Sequence, residues 1–197
     1  MFEIKKPQED RSGEDYQQRN FYSLDTMIEL ESLDSPISTM LEYWLELKNG
    51  ATTAPKADSF RFNKLWEMKI PQNTTIIDCS VKNPYNFKIS RHAYDTANRK
   101  WIFGARITGQ HIGLISCPMI SKALQADYQY AKKYRNPKTL LYTRTRQYIN
   151  GVYRDFMRLV LSFASASGDI SMLLAVTRLR TPVINGSNFV PDIQNIG

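Results

Sequence analysis

Histidine and cysteine are scarce in this chain: His92 and His111, Cys79 and Cys117. Neither histidine stands at a spacing that joins it to a serine or cysteine nucleophile and an orienting carboxylate. The two cysteines form no metal or disulfide motif and read as buried structural thiols. Gly104 and Gly109 frame a glycine-bearing stretch, but it lacks the Lys-Ser/Thr ending of a phosphate-binding loop. Beyond residue 34 the acids are scattered singly, so no carboxylate pair suggests general acid–base work. No catalytic residue and no metal site are predicted. Both histidines read as surface or helix-end residues. No cofactor is expected; haem, with His92 or His111 as axial ligand, is the alternative.

Charge is the second chemical feature. The net charge is +7 over 197 residues, and it is unevenly spread. Residues 1–34 hold nine acids and four bases, a net −5, which leaves +12 for the remainder. Lys82, Lys88, Arg91, Arg99, Lys100 and Arg106 cluster in the middle of the chain, and Arg144, Arg146, Arg154 and Arg158 follow on predicted strands. Tyr85, Trp101, Tyr148 and Tyr153 lie among them. Stacking plus positive charge is how single-stranded nucleic acid is held. Basic surface also attracts acidic membranes and acidic proteins. The plainer expectation is a basic sheet exterior that keeps the protein soluble.

These residues need elements to position them. Residues 1–34 are polar and weakly periodic, and read as an acidic, mobile leader with room for a short helix at Leu24–Leu33. Ile37, Met40, Leu41, Trp44 and Leu45 recur at helical spacing over 36–49, with Ser35 as cap, Pro36 at the first position and Gly50 as the stop. A second helix, Phe60–Lys69, carries Phe62, Leu65 and Trp66, and Pro71 ends it. Thr74–Val81 and Tyr85–Arg91 read as a hairpin of strands around Lys82-Asn83-Pro84. An irregular, loosely helical lid follows, then a helix over Met119–Arg135. Three strands close the chain: Thr139–Tyr148, Val152–Phe163 and Ile170–Arg180. Asn150-Gly151 marks the first tight turn between them. On the middle strand, Met157, Leu159, Leu161 and Phe163 alternate with Arg154, Phe156, Arg158 and Val160. One face is apolar and the other mixed. Residues 181–197 read as a polar tail. No apolar run approaches the ~18 residues of a membrane span, and no signal peptide is evident, so a soluble cytoplasmic protein is expected.

Two strands, a crossover of small helices, one longer helix and a three-strand meander resemble the order of a PAS domain. A closer resemblance is to the single-domain PAS proteins of alphaproteobacteria. It rests on Leu41-x-Tyr43-Trp44-x-x-Leu47-x-x-Gly50 with Pro55 and Asp58, on Pro71, Ile77-Asp78 and Asn86-Phe87, and on Gly104-x-x-Ile107-Thr108-Gly109. Phe156-x-Arg158-Leu159-x-Leu161 and Gly168 complete the series, which spans residues 38–180. Where that family has an Arg and a Gly after the second-strand Phe, this chain has Ser90 and Ala93. Its acidic residue two before the Thr-Gly is Arg106 here, and its fourth-strand proline is Ser162.

The resemblance implies an α+β, PAS-like domain over residues 35–180. It implies five antiparallel strands in the order 2-1-5-4-3, helices over one face and an N-terminal helix on the other. It also implies a non-enzymatic sensor or signalling module that binds a small molecule or a protein. The residues themselves predict a ligand pocket of Phe87, Ile89, Trp101, Phe103, Ile107, Met119, Leu159 and Leu161. They predict that the helix with Ile37, Met40, Leu41 and Trp44 docks on Phe156 and Val160 and supports a homodimer. The alternative function is a basic domain that binds nucleic acid or an acidic membrane surface.

Overall fold

Three strand-forming runs near the C-terminus lay down the centre of one antiparallel sheet. In the computed structural model, which describes residues 15–92, 107–133, 140–180 and 184–185, they are β4 (Leu141–Ile149), β5 (Val152–Ala164) and β6 (Ile170–Leu179). Asn150 and Gly151 join β4 to β5 with φ of 51° and 74°. Two successive positive φ values match the right-handed twist of the flanking strands, and Asn-Gly tolerates them. β2 (Thr74–Asp78) and β3 (Lys88–Arg91) extend the sheet beyond β6. β1 (Tyr16–Tyr22) pairs with β4 at the opposite edge, in register from Tyr16↔Tyr148 to Tyr22↔Tyr142.

The sheet order is β1-β4-β5-β6-β2-β3, and a two-residue β7 (Ile184–Asn185) pairs with the start of β5. The sequence-based expectation of a five-stranded sheet is therefore corrected: the whole sheet differs in count and in full order, because β1 is added beyond β4 and β7 beside β5. The added edge strand comes from residues read as a mobile leader. YQQRNFY has no apolar face to announce a strand; its stability comes from its partner β4. α1 (Leu24–Leu30) follows at once, capped by the Ser23 hydroxyl accepting from the Thr26 N–H, and buries Met27. The domain boundary predicted at residue 35 thus gives way to elements that begin at residue 16.

α2 (Pro36–Lys48) starts as predicted, with Ser35 accepting from the Ser38 N–H and Pro36 in the first turn. Its left-handed cap is Asn49, at φ 44°, one residue before the expected glycine. α3 is shorter than predicted, Phe62–Glu67, and buries Leu65. α4 (Pro118–Lys133) buries Ile120, Ser121, Asp127, Tyr128 and Ala131 along one side.

Directly paired residues of a sheet share a face. Tyr142, Leu159 and Val176 form one row, and Thr143, Arg158 and Thr177 the next row on the opposite face. The first face lies under α1 and α2. Glu31, just past α1, binds Tyr142 and Arg178, and Tyr43 of α2 contacts Phe60, which in turn contacts Phe163. The second face lies under α4, where Arg158 reaches Asp127 and the Ser162 hydroxyl donates to the Ala131 carbonyl at 2.9 Å. Helices cover both faces.

This layering reverses the predicted docking. Phe156 and Val160 belong to the α4 face, so α2 does not rest on them. Ile37, Met40, Leu41 and Trp44 are buried on the apolar face with Leu159 and Leu161 instead. The physical reason lies in the polar half of β5. Arg158 and Ser162 require hydrogen-bonding partners once buried, and α4 supplies them. The uninterrupted apolar stripe of α2 needs none.

Candidate functional site

The α4 face of the sheet carries a polar layer at its β1 end. Its cross-strand rows are Gln17–Gln147–Arg154, Arg19–Thr145–Phe156 and Phe21–Thr143–Arg158. Thr143, Thr145, Gln147, Arg154 and Arg158 are all buried. The Gln17 side-chain amide donates to the Gln147 oxygen at 3.0 Å. Above the layer, Asp127 projects from α4 and is itself buried. Arg19 binds its Oδ1 and Arg158 its Oδ2. Two guanidinium groups thus share one carboxylate across three elements that are distant in sequence. Arg158 also lies over the Tyr128 ring, 5.9 Å from its centroid.

Burial dominates the electrostatics here. It pushes Arg19 down to about 10, with the neighbouring Arg158 charge adding to the shift. It lowers Arg158 as well, against the influence of Tyr128, and raises the Tyr128 hydroxyl. All three shifts have the sign expected of groups removed from water. Among the described residues, Arg19 Nε, Arg158 Nε and the hydroxyls of Thr143 and Thr145 are buried without a hydrogen-bond partner. Such atoms are few in folded proteins, and water or a ligand commonly satisfies them. The layer is rich in donors, and both oxygens of its one described carboxylate are engaged.

A groove of about 440 Å³ opens beside this layer, lined by Arg19, Phe21, Asp127, Tyr130, Leu141 and Tyr142 among others. That volume is in the range of small-molecule sites, about 300–1,000 Å³.

The predicted pocket is only partly assembled. Phe87, Ile89 and Ile107 are buried and Met119 is half-buried. Ile89 pairs with Ile77, Ile77 with Leu173 and Leu173 with Ser162, which puts Ile89 on the α4 face. Leu159 and Leu161 lie through the sheet on the α2 face and cannot join it. Trp101 and Phe103 lie outside the described residues, as does most of the predicted lid. His111 Nδ1 is 2.9 Å from the Asn86 carbonyl, and His92 is buried with its backbone N–H donating to the Thr108 hydroxyl. Among the described residues no three His, Cys, Asp or Glu side chains are grouped to hold a metal ion.

The basic residues are also divided by the sheet. Arg154 and Arg158 are on the α4 face. Arg144 and Arg146 are on the other and lie against Asp155, Arg144 bidentately at 3.0 and 2.6 Å. Tyr16, Tyr148 and Tyr153 form one row on this face, the one that α1 and α2 cover further along, Tyr16 and Tyr148 stacked with centroids 6.3 Å apart. Arg91, expected on a basic surface, lies over the rings of Phe62 and Trp66 at 3.8 and 5.7 Å.

Arg19, Asp127, Thr143 and Thr145 were not singled out by sequence reasoning. Asp127 carried a signal: it lies seven residues after Ile120 and three after Leu124, on the apolar side of its helix. Arg19 carried none, because β1 itself was unannounced. No protein-family model, no curated protein and no solved structure matches this chain. Among the described residues, no helix is long and apolar enough to cross a membrane.

Proposed function

We propose that this chain is a PAS-like, non-enzymatic sensor that binds a small molecule between α4 and the sheet and passes the bound state on. The observation that carries the reading is the buried layer of spare donors on the α4 face beside an open groove. A layer meant only for stability would be apolar or fully paired. The strand order supports the PAS-like part. β3-β2-β6-β5-β4 run as neighbours, the order 2-1-5-4-3 of the resemblance, with β1 added at the β4 edge. In keeping with that resemblance, we place the protein in a bacterial cytoplasm. A second copy, proposed to complete the signalling unit, would need a surface other than the apolar stripe of α2, which its own sheet consumes.

Native mass spectrometry of freshly purified protein tests the reading. A bound small molecule whose removal lowers the melting temperature is the expected result. A chain at bare mass that no metabolite panel stabilises would overturn it.

A second reading has one observation in its favour: the row of Tyr16, Tyr148 and Tyr153 with Arg144 and Arg146 beside it. Such a surface would stack and neutralise a single nucleic-acid strand. Retention on single-stranded DNA that fades steeply with salt is its test.

A further inference from the structure

We propose that the groove between β1 and α4 takes an organic monoanion, its carboxylate held by Arg19 and its apolar body laid along Phe21, Tyr130 and Leu141. The inference rests on the sensor reading and names the ligand class.

Charge gives the head group. Arg19 and Arg158 carry two positive charges against the one negative charge of Asp127. The triad therefore holds one uncompensated positive charge in a place where burial already disfavours it. A single added negative charge offsets it. A dianion would bring repulsion from Asp127 that one guanidinium does not offset.

Access chooses among the arginines. The Arg19 side chain is 17% exposed and lines the groove, whereas the Asp127 side chain is 2% exposed. Arg19 uses Nη2 on Asp127, and its Nε is buried without a partner. A guanidinium has five N–H donors in a planar fork, enough for a second carboxylate.

The walls give the body. Phe21 is 61% exposed and Tyr130 43%, both large rings at the groove, with Leu141 deeper in the wall. The Arg19 guanidinium lies 5.1 Å from the centre of the Phe21 ring, so charge and apolar surface adjoin. A short aliphatic or aromatic carboxylate matches both parts.

The test uses the full chain and three probes: octanoate, octanol and inorganic phosphate. Calorimetric titration should show octanoate binding, with octanol and phosphate at least about tenfold weaker, since a hydrogen bond to a charged group is worth that factor. Arg19→Gln should weaken octanoate by about tenfold or more, Phe21→Ser by a smaller factor, and Trp66→Ala not at all. Should Arg19→Gln fail to fold by circular dichroism, the probe comparison and Phe21→Ser still decide. Octanol binding as tightly as octanoate, phosphate displacing octanoate, or octanoate binding untouched by Arg19→Gln would each overturn the monoanion while leaving a sensor of other specificity. Failure of octanoate to bind would overturn the inference alone; the sensor reading falls with it only if the chain is also purified at bare mass and no metabolite panel stabilises it.

Discussion

The indole Nε1 of Trp44 donates to the backbone carbonyl of Ser162 at 3.0 Å. The hydroxyl of the same serine bonds to α4 on the other side of the sheet, so residue 162 ties β5 to both helical layers. Trp44→Phe removes one buried hydrogen bond and keeps most of the packing, and should cost about 1 kcal/mol. Trp44→Ala also opens a cavity, and should cost about 3–5 kcal/mol. Urea unfolding of both variants checks the ratio. Equal costs would mean that packing contributes little here.

Asp127 is the counter-charge of two arginines. Asp127→Asn leaves both guanidinium groups buried beside a neutral amide, and should destabilise by about 3–5 kcal/mol, the range for a buried ion pair that loses one partner. A loss under 1 kcal/mol by urea unfolding would show that water or an anion already neutralises the layer.

Glu31 sets part of the acid stability. Burial would raise its carboxyl, but hydrogen bonds from Arg178, Tyr142 and Ser35 outweigh burial and hold it below its ordinary 4.5. Arg178 contributes two of them, at 2.7 and 2.8 Å. A carboxyl lowered by folding stabilises the native state above its unfolded pKa, and that contribution is lost as pH falls through the folded value. Urea midpoints taken from pH 7 to 3 should therefore fall less steeply below about 4.5 in Glu31→Gln than in the parent. Parallel acid limbs would remove Glu31 from the account.

The two thiols should react in a fixed order. Burial pushes the Cys79 thiol up to about 12, with Lys132 pulling against it. Cys117 is only half-buried. Thiolate is the reacting species, so iodoacetamide at neutral pH should label Cys117 first and Cys79 only on unfolding. Peptide mass mapping against time would show this, and early labelling of Cys79 would contradict its burial.

Deleting residues 1–22 exposes the outer edge of β4 and takes Arg19 from Asp127. The shortened chain should lose cooperative thermal unfolding or aggregate through the bared edge. Circular dichroism and gel filtration report both. An unchanged melting temperature would make β1 an accessory strand.

The helices and the meander were legible because their residues repeat with the period of their element. Ile37, Met40, Leu41 and Trp44 mark α2, and Asn150-Gly151 marks the turn between β4 and β5. The assignment of faces was not legible. Alternation along β5 separates Leu159 from Arg158 but does not say which helix covers which, and that is settled by Asp127, on an element some 30 residues away in sequence. The part of the predicted pocket built on Leu159 and Leu161 failed for that reason. β1 was illegible for another: an edge strand flanked by polar residues draws its stability from its partner and leaves little pattern in its own composition.

The place of β1 also has a consequence in time. Gln17 meets Gln147, 130 residues further along the chain. During synthesis at about 5–20 residues per second, β1 therefore waits on the order of ten seconds for the strand it pairs with. The β4–β5 hairpin, joined by two residues, closes at once by comparison. Arg19 reaches Asp127 only when that long-range pairing forms, so the groove gains its wall only after α4 and β4 have been made.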